Sequence, residues 1–216
     1  MNTFKIAGDS WKTKPTDRFI LKWIKCHLSA RVTPHLVKFQ WLRPWKITFG
    51  STIIGMLSGI FFALGWGFVA GMTAMVSQVL DGVDGQFARL TGTQSRPGAL
   101  LDSVLDRYSD GALVIGLIIY SMQLPLNISL WLLFMVAFFA LIGSSSVSYS
   151  SARAASLNLF IEKEPTLASK GTRTTLVALS GLLSLLWPAA PLIALLYLAI
   201  HPNLVVCRRL MTAYRA

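Results

Sequence analysis

The stretch LDGVDGQFARLTGTQSRPGALLDSVLDRYSD, Leu80 to Asp110, holds five of the nine acidic residues in the chain. Asp81 and Asp84 are three positions apart, and Asp102 and Asp106 are four apart. On helices each pair shares one face, with side chains roughly 5 to 6 Å from one another. The connection LTGTQSRP, Leu90 to Pro97, has the Gly, Ser and Pro content of a turn. A turn there brings the second helix back antiparallel to the first and aims four carboxylates at one volume. Such a cluster repels itself unless a cation neutralises it. Hard divalent ions take carboxylate oxygens, and Mg²⁺ is commonly shared between a few carboxylates and substrate phosphates. Two ions about 4 Å apart clamp both oxygens of a phosphoryl displacement. Gly85 and Ala88, just after Asp84, and Gly98, four before Asp102, keep this face free of bulk where a ligand needs room. Arg89 is placed to pair with a diphosphate or with a carboxylate.

The elements that position these residues have to be membrane helices. A chain of 216 residues with 54% hydrophobic and 13% charged content is unlike a soluble domain. The expected fold is an all-α integral membrane protein. Segments of spanning length, about 20 residues, run from Ile47 to Leu64, Trp66 to Leu80, Ala99 to Met122, Ile128 to Tyr149, Thr174 to Trp187 and Leu192 to Val206. The second is short before Asp81. Its helix either continues past the carboxylates into water or carries them at membrane depth, and both versions put Asp81 near an interface.

Positive loops are retained on the cytoplasmic side. Ten of the twenty Lys and Arg lie between Lys5 and Lys46, Arg89, Arg96 and Arg107 accompany the acidic stretch, and Arg153, Lys163, Lys170 and Arg173 surround the fourth connection. Arg208, Arg209 and Arg215 end the chain, while the connections around Gly65, Gln123 to Asn127 and Pro188 to Pro191 contain none. Six transmembrane helices then place both termini and the acidic stretch on the cytoplasmic side of the cell (inner) membrane. Residues 1–45 form a cytoplasmic N-terminal segment and 46–216 the six-helix catalytic domain. The first segment has no uncharged apolar core of signal-peptide length. Within it, TDRFILKWIKCHL sets Phe19, Ile20, Trp23, Ile24 and His27 opposite Arg18, Lys22 and Lys25, as an amphipathic helix on the membrane surface does. A soluble cap packed on the loops is the alternative. Cys26 and Cys207 fall on the reducing side, show no metal spacing, and read as structural. The excess of basic charge, without an interleaved basic and aromatic surface, points to anionic lipid or substrate rather than nucleic acid.

An exposed acidic rim paired with Arg89, Arg96 and Arg107 is the plain reading of the aspartates. Four phased carboxylates in a membrane protein argue against it, because acids there usually mark function. At every defining position DGVDGQFARLTGTQSRPGALLDSVLD resembles the signature of the CDP-alcohol phosphotransferases, DxxDGxxAR, eight residues, then GxxxDxxxD. The fit runs through Asp81, Asp84, Gly85, Ala88, Arg89, Gly98, Asp102 and Asp106, and the resemblance extends from Thr16 to the C-terminus. It implies transfer of a phosphoalcohol group, mostly phosphatidyl, from a CDP-linked donor such as CDP-diacylglycerol to an acceptor hydroxyl, with release of CMP. It further implies Mg²⁺ or Mn²⁺, two ions, held by Asp81, Asp84, Asp102 and Asp106, with Asp106 also the base that takes the acceptor's proton. Thr48, Asp81, Gly85, Ala88, Arg89 and Gly98 would contact the CDP moiety, and a homodimer is implied.

Upstream, RPWKIT resembles the family's Pro-Asn-x-x-Thr segment with Trp45 where Asn is common. Thr48 either reaches the nucleotide or caps the helix. For the acceptor, LDRYSDG is similar to the branch that uses inositol phosphate. Arg153, Lys170, Arg173 and Arg208 stand at positions similar to its phosphate-binding residues, unless they only obey the positive-inside rule. Arg107 belongs to the same acceptor set. Asp110 continues the stripe of Asp102 and Asp106, touching acceptor hydroxyls or pairing with Arg107. Glycerol phosphate or another soluble alcohol is the alternative acceptor, and a soluble CDP-alcohol the alternative donor. The serine run Gly143 to Ala152 lines a cavity or packs helices. A divalent-cation channel or transporter is the rival class, but its acids should line a path across the bilayer, and here the opposite connections carry no charge.

Overall fold

The computed structural model describes residues 11–13, 19–159 and 168–215. Arg18 and Lys163, and the first turn of the expected surface helix, lie outside them. Regular structure among the described residues is entirely helical. Helix α1, Phe19–Ile24, passes through a π-helical turn, Lys25–Ser29, into α2, Ala30–Leu36. There follow α3 (Pro44–Ala63), α4 (Gly67–Leu90), α5 (Arg96–Met122), α6 (Leu130–Ser156), α7 (Lys170–Leu183) and α8 (Ala190–Arg215). Each of the six apolar segments is thus helical, and α4 continues without a break past Asp81 and Asp84.

Local chemistry sets the turn between the acidic helices. Gly92 takes the left-handed conformation, φ 65°, which costs glycine little. The Ser95 hydroxyl then accepts from Gly98 N at 3.1 Å as the cap of α5, and Pro97 fills a first-turn position where no N–H is missed. The turn returns α5 towards α4.

Three helices are long and apolar enough to cross a membrane: Pro44–Ala63, Leu130–Ser156 and the Ala190–Tyr214 part of α8. Helices α4 and α5 have the length but carry the aspartates and arginines. Helix α7, at 14 residues, rises only about 21 Å, less than the roughly 30 Å of hydrocarbon. Trp131, Phe134, Leu186 and Ile200 stand exposed on the outer surface, which suits lipid and not water. The interior gathers Phe62, Leu117, Leu133, Val177 and Leu195 from α3, α5, α6, α7 and α8.

Two close helix approaches depend on glycine. A Cβ on Gly59 of α3 would lie 2.2 Å from the Ala112 carbonyl oxygen of α5, and one on Gly71 of α4 would lie 2.6 Å from the Ala178 carbonyl oxygen of α7. The glycines of GMLSG and GFVAG are therefore spent on contacts within the bundle. Helix α8 continues beyond Pro202, which does not end it.

The N-terminal helix packs on protein. Ile24, Ser29 and Thr33 are buried, whereas Trp23 is exposed and stacks on His27 at 5.1 Å. The apolar face expected from Phe19 to His27 thus divides, because the helix runs on to Leu36 and seats Ser29 against the Val79 carbonyl of α4 at 2.8 Å.

Candidate active site and metal centre

Asp81, Asp102 and Asp106 each offer a carboxylate oxygen, all within 4.8 Å of one another. Helical phasing on α4 and α5 produces this convergence once the Gly92 turn has reversed the chain and both helices have packed against α3. The Lys170 ammonium, at the start of α7, lies between Asp81, 2.5 Å away, and Asp106. A cationic head among these oxygens shows the cluster's demand for positive charge. Oxygen-only donors at this spacing fit a hard divalent ion.

Asp84 faces elsewhere. It is 7% exposed, and its carboxylate accepts from the Thr48 hydroxyl at 2.7 Å and from Gly85 N. Thr48 is not the cap of α3, a place held by Arg43; its hydroxyl reaches across to α4. An open cavity lies beside this pair, lined by Asp84, Asp102, Ala88, Arg89, Gly98 and Trp45 among others. Asp102 belongs both to this cavity and to the three-carboxylate cluster, so the cluster and the cavity share a wall. The small residues have visible uses. A Cβ on Gly85 would meet the Arg89 guanidinium at 3.3 Å, and one on Gly98 would meet the Ser95 cap at 2.9 Å. Arg89 is further held by donating Nε to the Trp11 carbonyl at 2.7 Å. Trp45 stands half exposed at the cavity rim, with the Lys46 ammonium 5.8 Å from its ring centroid.

The candidate acceptor residues fall into two groups. Lys170 is at the cluster. Asp110, one turn beyond Asp106, binds the Arg173 guanidinium at 2.8 Å and lies 3.5 Å from Arg107, so the pairing with Arg107 is present and Arg173 adds a second partner. Arg173 is almost fully buried and also donates to the Ala168 carbonyl. Arg153 and Arg208 are exposed at the ends of α6 and α8, away from the cluster by any direct contact shown. Two polar anchors carry no sequence signal. Gln86 Nε2 donates to the carbonyls of Lys12 and Lys25, and its Oε1 accepts from Thr33 at 2.6 Å, tying the N-terminal helix to the motif. Arg209 donates from α8 to the Val147 carbonyl and to Ser150 and Ser151 of α6, which makes part of the serine run a helix clamp.

The model of one protein family, CDP-alcohol phosphatidyltransferase, matches residues 41–207. The phosphatidylinositol phosphate synthase of Cutibacterium acnes is 32% identical over 198 residues, 88% of this chain and 89% of that protein. A bifunctional IPC transferase and DIPP synthase of Thermococcus kodakarensis is 34% identical over 137 residues, 63% of this chain but only 30% of that longer protein. Among solved structures, the phosphatidylinositol phosphate synthase of Mycobacterium tuberculosis, crystallised with manganese and citrate, has a TM-score of 0.70 and 25% identity, covering 87% of this chain and 89% of that one.

Proposed function

The chain belongs to the CDP-alcohol phosphatidyltransferase family, and from that premise we propose that it transfers a phosphatidyl group from CDP-diacylglycerol to a hydroxyl of an inositol phosphate, releasing CMP. The observation that carries this reading is the shared wall at Asp102: a residue of the three-carboxylate cluster also lines the open cavity that holds Asp84, Ala88, Arg89 and Gly98. The inositol phosphate acceptor follows the synthase of C. acnes, which is matched over nearly its whole length. A phosphatidyl product requires a donor that carries diacylglycerol, and the exposed apolar flanks of α3 and α6 offer such chains a lipid-facing setting.

Mg²⁺ or Mn²⁺ would be held by Asp81, Asp102 and Asp106, with a second ion shared towards Asp84, and manganese in the mycobacterial structure supports this. Bound there, the ions supply charge neutralisation for the diphosphate and for the departing CMP. The chain's own residues do the rest. Thr48 fixes one oxygen of Asp84, so the cavity presents an ordered carboxylate. Arg89, itself positioned by Trp11, faces the same cavity and holds donor phosphate. Asp106 takes the proton of the acceptor hydroxyl as that oxygen forms its bond to the donor's lipid-bearing phosphorus, and the bond from that phosphorus to the CMP oxygen breaks. Lys170 keeps Asp106 in place before reaction and gives a cation for the acceptor's phosphate, with Arg107, Asp110 and Arg173 behind it. Helices α3 to α8 all cross the membrane in this reading, the short α7 packed inside the bundle, the active site faces the cytoplasm, and two copies associate as a homodimer.

Purified protein given CDP-diacylglycerol and Mn²⁺, with inositol phosphate, glycerol phosphate and serine in parallel, is the direct test. CMP release that depends on inositol phosphate, and that stops on chelation and returns with metal, is expected. Release with glycerol phosphate alone would move the acceptor; no release with any acceptor would overturn the activity.

A further inference from the structure

Gln78 lies one turn before Asp81 on α4, and it is 2% exposed. Neither the oxygen nor the nitrogen of its amide has a hydrogen-bond partner in the protein. A buried amide without partners is costly, so its retention asks for a ligand. Gln78 lines a second, much smaller cavity together with Asp81, Asp106 and Lys170. This space has room for about one water molecule.

Beside Ser109, the remaining wall has four hydroxyls whose protons are already committed. Ser51 and Thr52 both donate to the Thr48 carbonyl, at 2.8 and 2.9 Å. Ser77 donates to the Ser51 carbonyl at 2.8 Å, and Thr174 to the Lys170 carbonyl at 3.2 Å. These oxygens and the two carboxylates can only accept. The cavity is therefore rich in acceptors, and the donors that face them are the Gln78 N–H₂, the Ser109 hydroxyl and the Lys170 ammonium, which already donates to Asp81 and Asp106. A water molecule that accepts from Gln78 Nε2 and donates to Asp106 and Asp81 has the two to four polar partners a buried water needs, and Gln78 Oε1 is left to accept from the Ser109 hydroxyl that lines the same space.

We infer that Gln78 is a positioning residue for the transfer reaction, acting through a buried water on Asp106 and Asp81 from inside the bundle. The inference rests on the proposed role of Asp106 as the proton acceptor. A carboxylate that must take a proton at one oxygen is served by a fixed hydrogen bond at its other side, and partners of this kind are worth roughly 10- to 100-fold in activity or metal affinity.

Gln78→Met tests it, because methionine fills the same space without a polar group and relieves the unpaired amide. With CDP-diacylglycerol, Mn²⁺ and the acceptor that wild type uses, kcat is expected to fall roughly 10- to 100-fold while donor KM stays unchanged. Gln78→Asn, which keeps the amide at a distance a further water can bridge, should recover part of that loss. Wild-type kcat in folded Gln78→Met, with a melting temperature held or raised, overturns the inference. Gln78→Leu repeats the test should the methionine variant fail to fold, and failure of both marks Gln78 as structural and also overturns it. Wild-type protein that releases no CMP with any acceptor refutes the reaction instead, so the two failures are separate.

Discussion

Asp106 is the residue on which the proposed reaction turns, since it stands both in the three-carboxylate cluster and against Lys170. Asp106→Asn keeps the shape and removes the basic oxygen. Turnover is expected to fall about 10²- to 10⁴-fold, with binding of the CDP donor retained, as CMP-release kinetics and donor titration would show; an unchanged rate removes Asp106 as base. Thr48 makes a different demand. Its hydroxyl is the side-chain donor to Asp84 at 2.7 Å, and Thr48→Val leaves that buried carboxylate short of a charge-assisted hydrogen bond. Donor KM should rise about tenfold, which is about 1.4 kcal/mol, with kcat less affected. The aspartates were legible from the sequence because spacings of three and four alone fix a helical face. Their partners were not: Thr48 is 36 positions from Asp84, and Lys170 is 89 from Asp81 and 64 from Asp106. No local period encodes such distances; only helix packing does.

At the scale of elements, the site depends on how closely α3 approaches α5 and α4 approaches α7. Adding a methyl group at Gly59 would place carbon 2.2 Å from a backbone carbonyl oxygen, which a main chain can relieve only by moving. Overpacking of this kind costs about 1 to 3 kcal/mol. Gly59→Ala is therefore expected to lower the melting temperature in detergent and to raise donor KM, because α3 carries Thr48 and α5 carries Asp102; an unchanged melting curve would mean that the helices do not meet there. Gly50, with nothing near its Cβ position, is the control. Helix positions were readable from hydropathy, and the helix boundaries moved mostly where polar residues extend a helix beyond its apolar stretch, as in α6, which runs on through serines to Ser156. The spacing of GMLSG and GFVAG announced close contact but not its partner. The inner face of the N-terminal helix is not visible in the apolar pattern, because Ser29 and Thr33, polar residues, turn inward to bond α4 through Val79 and Gln86.

For the whole molecule, the open question of arrangement is which side of the membrane each end of the bundle faces. Only three helices qualify as spans by length and apolarity alone, yet α4, α5 and α7 lie packed against them, with their charges gathered at one end beside the N-terminal helix. That end holds the aspartates and Lys170; the connections around Gly65, Gln123 to Asn127 and Pro188 to Pro191 at the other carry no Lys or Arg. The positive-inside rule then assigns the acidic end to the cytoplasm, where soluble inositol phosphate and departing CMP have access. A periplasm-dependent phosphatase inserted in the 123–127 loop should be active, and a fluorescent protein that matures only in the cytoplasm, inserted after Asn158, should fluoresce. The reverse pattern would invert the bundle. A 123–127 loop found cytoplasmic together with Asn158 would show that α6 does not cross, and would cost the six-span arrangement while leaving the metal centre between α4 and α5 intact, since that centre depends on the turn at Gly92 and not on the membrane's polarity.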